Sequence, residues 1–437
     1  MRMLRWGMVV ALMAALAACA QPDRLGGAPN VYSNIDYYPE AEVPVALRTV
    51  TPTLFHVTDR APAPDGGYGH ERSDSMVFGS AEVRFGDGLD WPGLLEVSVR
   101  RRAGLGLPLT VEKVNELVRF PETPLPFTPL GEGRVRVAPE AQAAWDARAR
   151  EMQAQLRSAI LGANRREVVL FVHGFRNDFE EGHATLANIW HFTGRVGVPL
   201  LFSWPADNPG VFGYFKDRES GEFSVFHLKQ ALTILAGIDE LERIHIVAHS
   251  RGADVATTAL RELIIAERAA GRNPRRTLKI ENLILAAPDI DFGVVRQRLV
   301  AERFAPAFGQ ITVYLNPRDG ALGLAQTLMS GVRMGRLSLD RVDPRVREVF
   351  ERIGNVHFVD VERPGSRLSH AYFRVNPAVV SDIVLTIRTG AAPGGVDRPL
   401  ERFENLEGPF WSLHPDYPDP RRIAALWEAG RRSDDGR

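Results

Sequence analysis

The chain has 437 residues, of which 45% are hydrophobic and 24% charged, enough for one large globular domain with extensions. Its 53 Lys+Arg nearly balance 54 Asp+Glu, so there is no electrostatic case for nucleic acid as a main partner. The single cysteine, Cys19, excludes an internal disulfide.

The amino terminus carries Arg2 and Arg5, then an apolar stretch from Trp6 to Ala18, too short for a comfortable membrane span and suited to a cleaved signal. Leu16-Ala17-Ala18-Cys19 resembles the lipobox of bacterial lipoproteins, in which the cysteine is lipidated and opens the mature protein. The alternative is an ordinary cleaved signal with an incidental cysteine. With Ala20 rather than aspartate next, the resemblance implies an anchor in the outer membrane, facing the periplasm, where the host has two membranes. Residues 1–18 are then a signal peptide, and 19–45, rich in Pro, Gly, Asn and Tyr, a tether.

From Ala46 to Arg102 the runs TPTLFHVTDR, MVFGSAEVRF and LLEVSVR predict strands. Residues 103–137 are proline-dense and expected to be irregular. A helix is predicted from Pro139 to Leu161, with Trp145, Ala149, Met152, Leu156 and Ile160 on one stripe. Strands and helices then alternate: EVVLFVHGF, HATLANIWHF, PLLFSWP, FSVFHLKQALTILAGIDEL, the strand ending at His249 with its helix, and the strands in LKIENLILAAPDID, ITVYLNPRD and NVHFVDVER. Near-continuous apolar strands suit a parallel sheet buried on both faces, and the alternation predicts a doubly wound, mostly parallel α/β sheet with an amino-terminal strand extension. The domain is expected over 46–390, followed by a loosely packed tail over 391–437.

IHIVAHSRG, Ile244 to Gly252, is an apolar strand that runs into a serine and then an alanine-rich helix. That is the layout of a nucleophile elbow, whose turn needs small residues two before and two after the serine. Ala248 and Gly252 meet this, Ala248 in place of the usual glycine. A serine nucleophile needs a base, an acid to orient it and donors for the oxyanion, and in parallel sheets these gather after the strands' carboxyl ends. His370, in SRLSHAYF, is the base candidate. Asp319, after ITVYLNP, is the acid candidate, with Asp289 and Asp291 as rivals. The order Ser250, Asp319, His370 is that of α/β-hydrolases. Backbone N–H groups of Phe175 and Arg251 are the expected oxyanion donors. His173 is expected to brace its loop and His249 to turn away from the serine. No metal site and no cofactor are expected: HExxH and GxxxxGK[ST] do not occur.

HGF, SWP, GYFKDRES, AHSRG, APDID and NPRD in this order, with TDR and YGHERS upstream, resemble a bacterial branch of the α/β-hydrolase (esterase/lipase) superfamily of largely uncharacterised function. The resemblance spans about 46–390 and implies a serine hydrolase fold with Ser250, Asp319 and His370 at the motif positions. The expected activity is cleavage of a carboxylic ester, from a small molecule or a lipid, with the membrane met through lipidated Cys19. Acyl transfer to an envelope alcohol or amine, or a non-catalytic membrane-tethered binding module, are the competing readings. Ala206 to Phe223, with Phe212, Tyr214, Phe215 and Phe223, is expected to be a loop, either a lid or wall of an acyl pocket or a surface loop pinned by its aromatics.

Overall fold

The computed structural model describes residues 24–421, apart from 65, 101–105, 210–211, 330, 340–343, 363–369, 405 and 407. Cys19, the signal segment and the end of the chain lie outside the described residues. No helix among the described residues is long and apolar enough to cross a membrane.

An eleven-stranded sheet runs in the order β12-β13-β11-β10-β9-β8-β6-β7-β1-β2-β3. Its strands are β1 (Thr53–Pro62), β2 (Tyr68–Phe85), β3 (Leu109–Arg119), β6 (Glu167–Val172), β7 (Val198–Ser203), β8 (Arg243–His249), β9 (Ile280–Ala286), β10 (Gln310–Leu315), β11 (Val356–Val361), β12 (Glu401–Arg402) and β13 (Phe410–Leu413). β4 (Phe127–Gly131) and β5 (Arg134–Val137) form a separate hairpin. From β1 to β13 every neighbouring pair is parallel; β2, β3 and β12 add antiparallel flanks.

Period-two alternation along the strands separates two cores. On β6, Val168, Leu170 and Val172 face one core, and Val169 and Phe171 the other. The first is covered by α2 (Pro139–Gly162), α4 (Gly213–Ala236) and α5 (Arg251–Ala269), the second by α1 (Trp91–Val99), α3 (Phe179–Phe192) and α8 (Pro377–Thr389). The predicted α2 stripe is real: Trp145, Met152, Leu156 and Ile160 are buried and Ala149 packs against them.

Several expectations change. LLEVSVR is helical, not extended: Asp90 caps α1 by accepting from the Gly93 N–H at 2.9 Å, Pro92 suits the first turn, and Leu94 and Ser98 share the buried face. The 103–137 stretch holds β3, which pairs with β2; Pro108 and Pro121 flank that strand rather than interrupt it. The chain over 24–45 is no free tether. Leu25, Val31 and Tyr32 are buried, and the Tyr32 hydroxyl donates to the Phe192 carbonyl at 2.7 Å. Most of the expected 206–223 loop is helix, because α4 begins at Gly213.

The region after 390 is likewise built into the fold through a buried ion pair. Arg398, wholly buried, grips Asp382 of α8 with two nitrogens, at 2.9 and 2.7 Å. Tyr314 and Tyr417 hydroxyls donate to the same carboxylate at 2.7 and 2.9 Å. Removing one member strands the other charge, so Arg398→Met is expected to destabilise the protein by about 3–5 kcal/mol in urea unfolding. The double variant Arg398→Met/Asp382→Leu should cost clearly less than the sum of the single changes; strict additivity would count against a coupled pair.

Candidate active site

Strand registers bring the carboxyl ends of β6, β8, β9, β10 and β11 to one rim. Val172 pairs with Ala248, His249 with Ala286, Ala286 with Tyr314, and Leu315 with Asp360. Strand order reverses between β6 and β8, and crevices at such a switch point are where ligands bind in open α/β sheets. Ser250 follows β8 and Phe175 follows β6, so both stand at this crevice.

Ser250 has φ 52° and ψ −120°, a conformation disfavoured for a residue with a side chain. Three backbone bonds hold it: its N–H donates to the Ala286 carbonyl at 3.0 Å, and its carbonyl accepts from the Asp289 and Ala253 N–H groups, both at 3.1 Å. The turn also lies hard against the end of β6. A Cβ at Gly252 would stand 2.2 Å from the His173 carbonyl oxygen, and one at Gly174 would stand 3.0 Å from the Ser250 Cβ.

The three distant side chains meet. His370 Nε2 is 2.7 Å from Ser250 Oγ, and His370 Nδ1 is 2.7 Å from Asp319 Oδ2. A carboxylate only accepts, so Nδ1 carries the ring proton and Nε2 is free to accept from the serine hydroxyl. Asp319 is fully buried, and its other oxygen accepts from the Leu322 N–H at 3.0 Å, at the start of α6 (Gly320–Met329). Burial is the strongest influence on His370 and opposes its protonation. The charge and hydrogen bond of Asp319, joined by Asp289, together outweigh it and raise the imidazole pKa above its ordinary value.

The rival carboxylates serve elsewhere. Asp289 accepts from the Tyr214 hydroxyl at 2.8 Å and faces Arg333 at 3.5 Å. Asp291 caps a short turn through the Val294 N–H at 3.0 Å. His249 turns from the serine. Its Nε2 lies 3.3 Å from the His370 carbonyl, to which it donates, and its ring stacks on Phe373 at 4.4 Å, bracing the segment that carries His370. The Phe175 and Arg251 N–H groups have no hydrogen-bond partner among the described residues. Arg251 opens α5, so the positive end of that helix adds to its N–H.

Two polar hubs not foreseen from the sequence hold the loops after β6 and β7. Arg60, 1% exposed, donates to the carbonyls of Asn177 (2.7 Å), Gly69 (2.9 Å) and Ala206 (3.1 Å), to Ser203 Oγ (2.8 Å), and to His173 Nε2 (3.3 Å). Burial brings its pKa down to about 10 against the pull of surrounding aspartates. Asp217 accepts from the N–H groups of Arg176, Asp207 and Asn208 and from the Asn208 amide, all at 2.8–3.1 Å. Both residues lie in the TDR and GYFKDRES motifs, but neither motif discloses a contact across the fold. His173 does brace its loop: it stacks on Trp204 at 5.1 Å and accepts from the Trp204 N–H at 3.1 Å.

A cavity of about 300 Å³ opens beside Ser250. Phe175, Tyr214, Phe215 and Leu322, Ala325 and Leu328 of α6 supply its apolar wall; Asn177, Asp207, Asn208 and Arg374 supply polar ground. Such a pocket, beside a serine–imidazole–carboxylate relay and two open N–H donors, has the parts for acyl chemistry. Among the described residues, no three His, Cys, Asp or Glu stand close enough together to hold a metal ion.

Gly252→Ala is expected to push the elbow off β6, because its methyl has no room before the His173 carbonyl. Whatever protein folds should show lowered melting temperature and lost reactivity of Ser250 toward a fluorophosphonate. Wild-type labelling in a stable variant would refute this account of the turn.

The chain matches the family described as alpha/beta hydrolase of unknown function (DUF900) over residues 148–388, more than half of its length and the span that holds Phe175, Ser250, Asp319 and His370. No curated protein matches it. With the parallel sheet and helical layers described above, the match identifies the chain as a member of this α/β-hydrolase family.

Proposed function

We propose that the protein is a serine hydrolase that cleaves carboxylic esters through an acyl-enzyme. The reading is carried by the unbroken relay from Ser250 Oγ through His370 to Asp319, with both contacts at 2.7 Å. As Ser250 Oγ attacks the carbonyl carbon, His370 Nε2 takes its proton, and Asp319 holds the imidazole by Nδ1–H and stabilises the cation. The N–H groups of Phe175 and Arg251 receive the oxyanion. Collapse breaks the ester C–O bond, and His370 returns the proton to the leaving alcohol. Water, deprotonated by the same imidazole, then attacks the acyl carbon; the bond to Ser250 Oγ breaks, His370 returns the proton to that oxygen, and the acid leaves. The apolar wall along α6 suits the acyl chain. Acyl transfer would use the same first half-reaction and differ only in the acceptor.

Ser250→Ala is expected to abolish fluorophosphonate labelling and to lower ester turnover by roughly four to six orders of magnitude without unfolding the chain. A folded wild-type protein that resists the probe would instead favour a non-catalytic binding module.

The raised pKa of His370 predicts a pH dependence of known sign. The neutral imidazole is the working base, so kcat/KM should fall as pH drops through a pKa above 6.5. Removing a nearby negative charge weakens the cation, so Asp289→Asn should move this acid limb to lower pH. An unmoved or alkaline-shifted limb would show that Asp289 does not act on His370.

A further inference from the structure

A second cavity, of about 290 Å³, lies apart from Ser250 and shares no lining residue with the first. Its floor is the first-core face of β9, β10 and β11, at Leu285, Val313 and Val356. Its roof is α7 (Pro344–Ile353) and a π-helical turn, Val295–Val300. π-Helical turns are rare and cluster at functional positions; here the wider turn brings Val295, Leu299 and Val300 together onto the cavity.

The mouth is of a different chemistry. Among the residues lining this cavity, the charged side chains are Arg303 and Arg352, and none is acidic. Both are exposed, so the cavity reaches solvent where they stand. Arg352 already meets Glu348 at 2.6 Å. The Arg303 guanidinium has no hydrogen-bond or ion-pair partner among the described residues. Its backbone is held left-handed, at φ 58°, unusual for a long side chain, and Arg268 donates to the Glu302 and Arg303 carbonyls at 2.8 and 2.6 Å.

We propose that this cavity binds a single-chain aliphatic carboxylate, with the chain against β9–β11 and the head on Arg303. An apolar cavity of about 150 Å³ holds one benzene ring, so twice that volume takes roughly twelve carbons and has no room for the two chains of a phospholipid. A guanidinium is the side chain best shaped for a carboxylate, and an apolar chamber whose rim carries two arginines, of which Arg352 is already paired with Glu348, selects an amphiphile over a sugar, a nucleotide or a peptide. The assignment does not depend on the chemistry at Ser250.

The test is titration of the full chain with dodecanoate and with dodecanol by calorimetry, in the wild type and in Arg303→Glu and Leu299→Trp. One equivalent of dodecanoate should bind the wild type, at least tenfold more tightly than dodecanol. Arg303→Glu, a surface change that leaves the fold intact, should erase that preference. Leu299→Trp, which fills the chamber, should abolish binding of both ligands while fluorophosphonate labelling of Ser250 stays at the wild-type level. No dodecanoate binding, equal affinity for acid and alcohol, or binding indifferent to both substitutions would overturn the proposal; indifference would place the ligand in the cavity beside Ser250. Failure of the wild type to react with the fluorophosphonate would strike at the ester hydrolase reading and leave the titration to decide this one.

Discussion

The site depends on one close approach, that of the turn at residues 250–252 to the end of β6. Ser250 adopts a backbone conformation costing on the order of 1–3 kcal/mol, and it keeps that conformation because it is pinned on two sides. β9 and the segment after it bond to its N–H and carbonyl, and the carbonyls of Val172 and His173 lie where any side chain at 252 would be. This contact sets the spacing between the two loops that present Phe175 and Arg251. A looser fit would move the N–H groups of those two residues apart.

The loops themselves are held by buried polar groups as well as by packing. Arg60 reaches from β1 under the loops after β6 and β7 and satisfies carbonyls on both. Asp217, from α4, satisfies the N–H groups of the same two loops. One hub is a pure donor and the other a pure acceptor, so together they complete both halves of the backbone's hydrogen-bonding demand. The geometry beside Ser250 is therefore held by two residues that do not line its cavity.

What the sequence discloses and what it hides divide along physical lines. The elbow is legible because strand, serine, small residues and helix are contiguous; the positions of Asp319 and His370 follow from the segments after β10 and β11 at the carboxyl rim of a parallel sheet. The α2 stripe is legible because its period is local. LLEVSVR misleads, since a seven-residue pattern fits either period and Asp90 with Pro92 decides the matter. Residues 24–45 and 391–421 read as loose because their burial rests on scattered long-range contacts, such as Tyr32 on Phe192 and Arg398 on Asp382, and on strands of two and four residues, which leave no periodicity. Arg60 and Asp217 sit in quotable motifs, yet most of their partners lie more than a hundred residues away or in irregular backbone, where composition says nothing.

The family match ends at residue 388, but the sheet does not end with it. β1, β2 and β3 come from before residue 148, and β12 and β13 from after 388. Excising the matched region alone would bare the hydrogen-bonding margins of β7 and β11, remove Arg60 from beneath the site, and leave Asp382 a buried anion without its cation. Two raw sheet margins invite pairing between molecules. The smallest autonomous unit of this protein is thus wider than its family signature, and the matched middle is a guest of the strands that bracket it.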